Sequence, residues 1–501
     1  MEDLEPRLWR LAQQLYTGNQ HIAGSPGERS EAERIAGILE DHTGLEARLV
    51  ETPLTSWRLR HVEPQGLLVA PYVESGYARG RVTRIQGDPA LPESWRPGRG
   101  IAVIGEPEDP DDVKAAALLA HEAGYEALIV ESPRPRVIVV NGHWGYSYRA
   151  GAPSPIPVAY APPGLVGDEV EIQVEAETVE ARGYTVEAGG GEEPIAVGAH
   201  YDRWLTGFQD NIAGVAEAAE LARLLHEGGR EVLLLVFTAE EHGAPGYASW
   251  YWAWGSRFYF TQLQEAGLLD RVRAYVNFDV AASPGLRVSG SPQLVEGSRL
   301  PVRRWECPEC DSMQAAVRGV PTVSIHSLWS REILGVYHTV WDTPGNASPA
   351  AMAMAVEEAY RLVTAGPRWG ALARMLHETL SQGPLEARRL DSMIQMALRR
   401  DPEDTYRVLA RLMLRPVHYG SYRYEGSHLE ALWIPEVSLL PRLLEDLARG
   451  SAPREVVEPG EERLLLVPSS GGRPVGRRAL MAQVRAAIAE YTGALEEWLR
   501  R

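Results

Sequence analysis

Cysteine and lysine are nearly absent from this chain. Its 501 residues hold two cysteines, and Lys114 is the only lysine. Cys307 and Cys310 fall together in CPEC, so a four-ligand structural zinc site would need a second pair that the sequence lacks. A lone C-x-x-C fits half of a zinc site, a redox pair or a local disulfide. Without a thioredoxin-like βαβ context around it, a loop clamp or two free thiols is the plainer reading. Positive charge is outnumbered, with 50 basic against 68 acidic residues. A net charge of −18 argues against nucleic acid, whose binding requires basic patches that displace counterions, and against an anionic membrane surface. No run approaches the roughly 18–20 apolar residues needed to span a bilayer. The start, MEDLEPRLWRL, has neither a basic leader nor an apolar h-region, so a cytoplasmic location is the expectation. Basic side chains are otherwise arginine, a bias that carries no functional reading.

The chain is too long for one compact core, and length alone suggests about three domains. Residues 4–41 predict two amphipathic helices, with Leu8, Leu11 and Leu15 on one stripe and Ile35, Ile38 and Leu39 on another. Between them GSPG (24–27) marks a turn, followed by a Ser30-x-x-Glu33 capping box. Over 59–168 the texture changes to short Val/Ile/Leu strands with Gly and Pro turns and one helix at 111–124, which predicts a β-rich inserted domain. Residues 1–58 and 169–368 form the main domain. Its apolar strands, separated by helices, predict a doubly wound, mostly parallel α/β sheet sandwiched by helices. Residues 369–501 predict a helical C-terminal domain. Its last segment carries Leu480, Val484, Ile488, Tyr491, Leu495 and Trp498 on one stripe. Such a stripe usually packs on its own protein, and one of this length can also bury itself against a second subunit.

Chemistry concentrates at the ends of apolar runs: IAVGAHYD (195–202), GFQDN (207–211), VLLLVFTAEE (232–241), AYVNFD (274–279) and GVYHTVWDT (335–343). In open α/β sheets ligands bind beyond the carboxyl ends of the strands. His200, Asp210, Glu241, Asp279 and His338 are therefore candidate metal ligands. Imidazole and carboxylate suit zinc, and also cobalt or manganese. Two divalent ions need a bridging carboxylate, which we assign to Asp210, with His200 and Asp279 on one ion and Glu241 and His338 on the other. Asp202 is expected to orient the ring of His200, and Asp342 that of His338. Glu240, beside a ligand but not needed as one, is the candidate general base. Taken singly, each residue has a plainer explanation as a cap, a turn former or a core histidine. That explanation suits His21, His121, His226 and His418, which have no partners in a pattern.

The pieces AHYD (199–202), QDNIAGVAEAAELARLL (209–225), FTAEEHG (237–243), VNFD (276–279), CDS (310–312) and YHTVWDT (337–343) resemble the M28 peptidase family of co-catalytic zinc aminopeptidases and carboxypeptidases. The insert is similar to a protease-associated domain. The helical tail resembles that of the branch containing glutamate carboxypeptidase and the transferrin receptor, where it serves dimerisation. The resemblance implies the same five ligands, Glu240 as the base and a cis peptide after Asp210. It also implies that Tyr337 donates a hydrogen bond to the tetrahedral oxyanion. Where the family commonly reads G-L-x-G-S, this chain has GAPGYA (243–248). The following segment is rich in aromatics, and of Trp250, Trp252 and Trp254 some are candidates for a specificity pocket. Paired arginines for an acidic substrate side chain are missing between Asp311 and Tyr337. The expected function is a two-metal aminopeptidase acting on peptides. A carboxypeptidase, a glutaminyl cyclase and a non-catalytic binding protein are the competing readings.

Overall fold

The computed structural model describes residues 3–140, 153–245, 250–302, 306–328, 330–420, 429–449, 455–458, 463–466, 469–470, 473–474 and 476–500. Four strands form the parallel heart of the main domain, in the order Thr322–His326, Ala274–Asp279, Ile195–His200 and Val232–Phe237. Every residue of Val232–Phe237, Ala274–Asp279 and Thr322–His326 is buried, which is why these runs lack polar alternation. Arg287–Gly290 adds an antiparallel edge to Thr322–His326.

Helices cover both faces. On one, the stripes of Leu4–Leu15 and Glu28–Thr43 pack with Ala213–Glu227 and Pro349–Ala365. On the other, Tyr259 and Phe260 of the helix Trp254–Glu265 meet Phe237 and Tyr275. The second helix begins at Glu28 with Gly27 as its N-cap, and no side chain caps it. Ser30 therefore lies inside the first turn, and the expected capping box does not form. The turn at GSPG starts the helix earlier than the polar signal suggested.

The inserted segment is hydrogen-bonded into the same sheet. Strands Ala47–Glu63 and Glu169–Gly190 run antiparallel over almost their full length, past both ends of the 59–168 segment. The inner part of Glu169–Gly190 pairs with Val232–Phe237 and its outer part with Gly76–Arg84. Beyond it lie parallel strands Ile101–Gly105, Ala127–Glu131 and Val158–Ala161, backed by the helix Asp112–Glu122. The insert has its own core, and Trp204, Ala244 and Tyr251 of the main domain pack into it.

After Pro349–Ala365 come helices Trp369–Ser381, Ala387–Arg400, Pro402–Met413, Leu440–Arg449 and Arg477–Arg500. The C-terminal region is helical, but it also holds a sheet of Leu414–Gly420, Leu429–Trp433, Glu455–Glu458 and Arg463–Leu466 that helical periodicity did not reveal. The final stripe packs on its own protein. Leu480, Val484, Ile488, Tyr491 and Leu495 are buried in the C-terminal core, and the Tyr491 hydroxyl donates to Glu436. No helix among the described residues is long and apolar enough to cross a membrane.

Candidate metal centre

His200 ends its strand, Asp279 ends the neighbouring one, and Glu240 and Glu241 follow just beyond Phe237. Parallel pairing sets these ends side by side, so residues far apart in the sequence converge on one rim. Asp210 joins them from the turn before the helix Ala213–Glu227, and His338 from a loop. The candidate ligand atoms form two sets, His200/Asp210/Asp279 and Asp210/Glu241/His338, each within 4.8 Å. Asp210 belongs to both. Its Oδ1 lies 3.4 Å from His200 Nε2, and its Oδ2 lies 3.3 Å from His338 Nε2. Asp279 Oδ1 is 3.8 Å from His200 Nε2, and Glu241 Oε2 is 3.0 Å from His338 Nε2. Both imidazole Nε2 atoms are buried, and neither makes a hydrogen bond among the described residues. Buried polar atoms normally find partners. Two buried imidazole nitrogens without hydrogen-bond partners, facing four carboxylates, fit the binding of divalent metal.

Three further side chains brace this rim. The Asp202 carboxylate accepts the backbone N–H groups of Glu240 and Glu241, each at 3.1 Å. The Asp342 carboxylate accepts those of Gln209 at 2.8 Å and Asp210 at 3.0 Å. Asn211 brackets Asp279, donating from Nδ2 to the Phe278 carbonyl and accepting the Val280 N–H. A Cβ at position 214 would collide with the Asn211 amide, so Gly214 leaves room for this grip. The peptide Asp210–Asn211 is cis. Ala239, Val280 and His338 are non-glycine residues at positive φ (57°, 51° and 54°), a costly conformation that the surrounding contacts maintain at functional sites.

These braces bear on two expectations. Asp202 lies against the His200 ring, its carbonyl 3.0 Å and its carboxylate Oδ1 3.7 Å from Nδ1, while that carboxylate also accepts two backbone N–H groups. Asp342 does not orient His338. Its two oxygens are likewise taken, and His338 Nδ1 has no partner among the described residues.

Burial raises Glu240 well above the usual carboxylate range; His200 opposes this, while Asp279, Asp311 and Glu241 add to it. Burial also pushes Glu241 up to about 7. For Asp210 burial is overcome by His200 and His338, which hold it below the usual range. Burial alone would lower His338, but Glu241 and Asp210 carry it up to about 9. The rim therefore holds protons that cations would replace.

A cavity opens beside Glu240, Glu241 and His338, walled by the insert, the main domain and Leu429 of the C-terminal region. Tyr337 lines it, its ring stacked on His338 at 3.8 Å between centroids. Burial keeps its phenol well above 10 and so protonated. Tyr251 and Trp252 also line the cavity. Trp250 is buried in the C-terminal core, and Trp254 opens a helix with its indole N–H donating to the Pro53 carbonyl. Of the three tryptophans only Trp252 reaches the cavity, since residues 250–253 do not form a strand whose alternation would align them. The remainder of GAPGYA (243–248), from residue 246 on, lies outside the described residues, as does most of the loop 416–428.

Residues that the sequence did not single out also gather here. Asp311, buried and pushed up to about 7, lies in the field of His200 and Asp279; its CDS motif was visible but without a role. Asp111, Lys114 and Glu309 line the cavity. Cys307 and Cys310, which flank Glu309, are joined in a disulfide, the loop clamp among the earlier readings.

The model of peptidase family M28 matches residues 184–297, which include His200, Asp210, Glu240, Glu241 and Asp279. Over that segment the chain resembles the M28 peptidases. Among solved structures, the chain resembles BSAP, a zinc aminopeptidase from Bacillus subtilis, with 18% identity and a TM-score of 0.57 over 73% of this chain and 95% of that one. It also resembles an M28 peptidase precursor from Shewanella amazonensis, with 18% identity and a TM-score of 0.52 over 71% and 91%. At such identity the likeness is one of fold. No curated protein matches. The match over residues 184–297 and the shared fold support a metallopeptidase.

Proposed function

We propose that this M28 metallopeptidase is an exopeptidase that holds two divalent cations, zinc before cobalt or manganese, and releases N-terminal residues from peptides. The observation that carries this reading is the division of Asp210 between two imidazoles, one carboxylate oxygen facing His200 and the other His338. That division favours a shared ligand, with His200 and Asp279 on one side and Glu241 and His338 on the other. Bound there, the cations supply Lewis acidity for the scissile carbonyl and make a water acidic enough to ionise near neutral pH. Glu240, with Oε2 3.7 Å from His200 Nε2, stands at the rim without serving either ligand set. Its carboxylate takes the proton of the attacking water and delivers it to the leaving amine nitrogen. The Tyr337 hydroxyl donates to the carbonyl oxygen as it gains charge. The aminopeptidase direction rests on analogy with the fold shared with BSAP, a zinc aminopeptidase.

The test combines metal analysis with hydrolysis of an amino-acid amide, a free peptide and an N-acetylated peptide. Two equivalents of zinc, with cleavage only where the amino terminus is free, are expected. Cleavage of the N-acetylated peptide from its carboxyl end would reverse the direction. One zinc with pyroglutamate as product would make the chain a cyclase. No metal and no hydrolysis after zinc addition would leave a binding protein.

A further inference from the structure

The chain's single lysine lies in the substrate cavity. Lys114 is the third residue of the insert's helix Asp112–Glu122, and it shares the cavity lining with Glu240, Glu241 and His338. Fifty basic residues occur in the sequence, and every other one is arginine. A cation in the first turn of a helix opposes the helix dipole, so the dipole does not favour a lysine here. The ammonium ion lies 2.9 Å from Asp111 Oδ1 and 5.5 Å from the centroid of the Tyr251 ring, with its side chain only one-fifth exposed.

The charged lining of the cavity divides between the metal rim and the residues outside it. Asp111, Glu240, Glu241 and Glu309 are acidic, and Lys114 and His338 are the basic members. His338 faces Asp210 and Glu241 and belongs to the metal rim. Outside the metal rim Lys114 is the cation of this lining, beside the carboxylates of Asp111 and Glu309. An ammonium has three donors in a compact head; with Asp111 and the Tyr251 side chain as its partners, one donor remains for a ligand.

We propose that Lys114 is a carboxylate receptor for the substrate, held in place by Asp111, so that the insert selects peptides carrying a carboxylate close to the scissile bond. This inference rests on the peptidase reading above. The carboxylate has two possible sources, the free α-carboxyl end of a di- or tripeptide and the side chain of an acidic residue. Three peptides separate them: Leu-Leu, its C-terminal amide, and Leu-Glu-amide.

The experiment measures binding calorimetrically to the zinc-loaded full chain carrying Glu240→Gln, which keeps the peptides intact, and measures KM in the parent. Leu-Leu is expected to bind at least tenfold more tightly than Leu-Leu-amide. If the side chain is the source, Leu-Glu-amide gains that factor instead. Lys114→Met should bring the ratio close to one, and Lys114→Arg should keep part of it. Asp111→Asn, which frees the ammonium, should raise the ratio, whereas a purely structural ion pair would lower all affinities together. A ratio near one for both carboxylates in the parent overturns the proposal, as does a ratio unchanged by Lys114→Met. Hydrolysis without carboxylate preference sinks this inference alone. Failure to bind or cleave any peptide sinks the peptidase reading and this inference with it.

Discussion

Two clusters of buried glutamate lie at the ends of the same strands, and they are built oppositely. Glu28 receives His21 Nε2 at 2.8 Å, the Tyr201 hydroxyl at 2.7 Å, the Thr238 hydroxyl at 2.6 Å and the backbone N–H groups of Gly24 and Tyr184. Burial alone would raise its pKa, but His21, Thr238 and Tyr201 outweigh it and hold Glu28 below the usual range. Tyr201 follows His200 directly, and Thr238 stands two residues before Glu240. Only a few residues away, Glu240 is as deeply buried and is pushed the other way. A carboxylate given every donor it can accept is a fixed part of the structure. One buried among other carboxylates is poised to exchange a proton or to meet a cation.

The largest expected effect breaks the poised cluster. Glu240→Gln keeps the volume and removes the proton carrier, so kcat should fall about 10³-fold while zinc content stays at the parent level. Retention of turnover on an amino-acid amide would refute the assigned role. Glu28→Gln breaks the satisfied cluster instead. It should cost about 2–3 kcal/mol of stability, the worth of hydrogen bonds to a charged group, while kcat per folded molecule changes little. The pH dependence sharpens the contrast. Because Glu28 has a depressed pKa in the folded state, its contribution is present above the unfolded value near 4.5 and is lost as pH falls through the folded one. The stability gap between parent and Glu28→Gln, measured by denaturant unfolding at fixed zinc, should therefore shrink on acidification below about pH 4.5.

The two clusters also differ in how legible they are in the sequence. The poised residues sit directly at strand ends, and parallel strands buried on both faces announce themselves as unbroken apolar runs. His200, Glu241 and Asp279 could thus be located from pattern alone. Glu28 could not, because its partners come from residues 21 to 238 and only the fold brings them together. Asp342 was located, but its role was not legible, because its backbone partners lie more than 130 positions away. His21, which looked partnerless, pairs with Glu28. Lys114 was visible as a compositional oddity, but its place in the cavity depends on how the insert's helix meets the main domain. The C-terminal strands were hidden because Leu414–Gly420 continues directly from the helix Pro402–Met413 with no turn signal between.

Metal uptake tests whether the rim is proton-loaded. His338 is pushed up to about 9 and Glu241 up to about 7 when no cation is bound, so at neutral pH a cation must displace protons. Apparent zinc affinity should rise about tenfold per pH unit between 7 and 9 for each proton displaced, then level off. Calorimetry in buffers of different ionisation enthalpy counts the protons released. Zinc binding with no proton release at pH 7 would mean that the imidazoles are already neutral.

The smallest expected effect separates bracing from ligation. Asp342 is buried and its pKa is pushed up to about 7 by burial, yet both of its oxygens accept backbone N–H groups at the approach to Asp210. Asp342→Asn keeps one acceptor and turns an amide donor toward the other N–H, leaving one buried donor unsatisfied. The loss should be about 1 kcal/mol in stability and about tenfold in zinc affinity, with kcat at saturating zinc close to the parent. That pattern distinguishes a residue acting through Asp210 from one that meets the metal, whose loss would remove a zinc equivalent outright. If Asp342→Asn instead bound one zinc fewer, Asp342 would belong to the poised cluster, and the boundary drawn here between the two kinds of buried carboxylate would have to move.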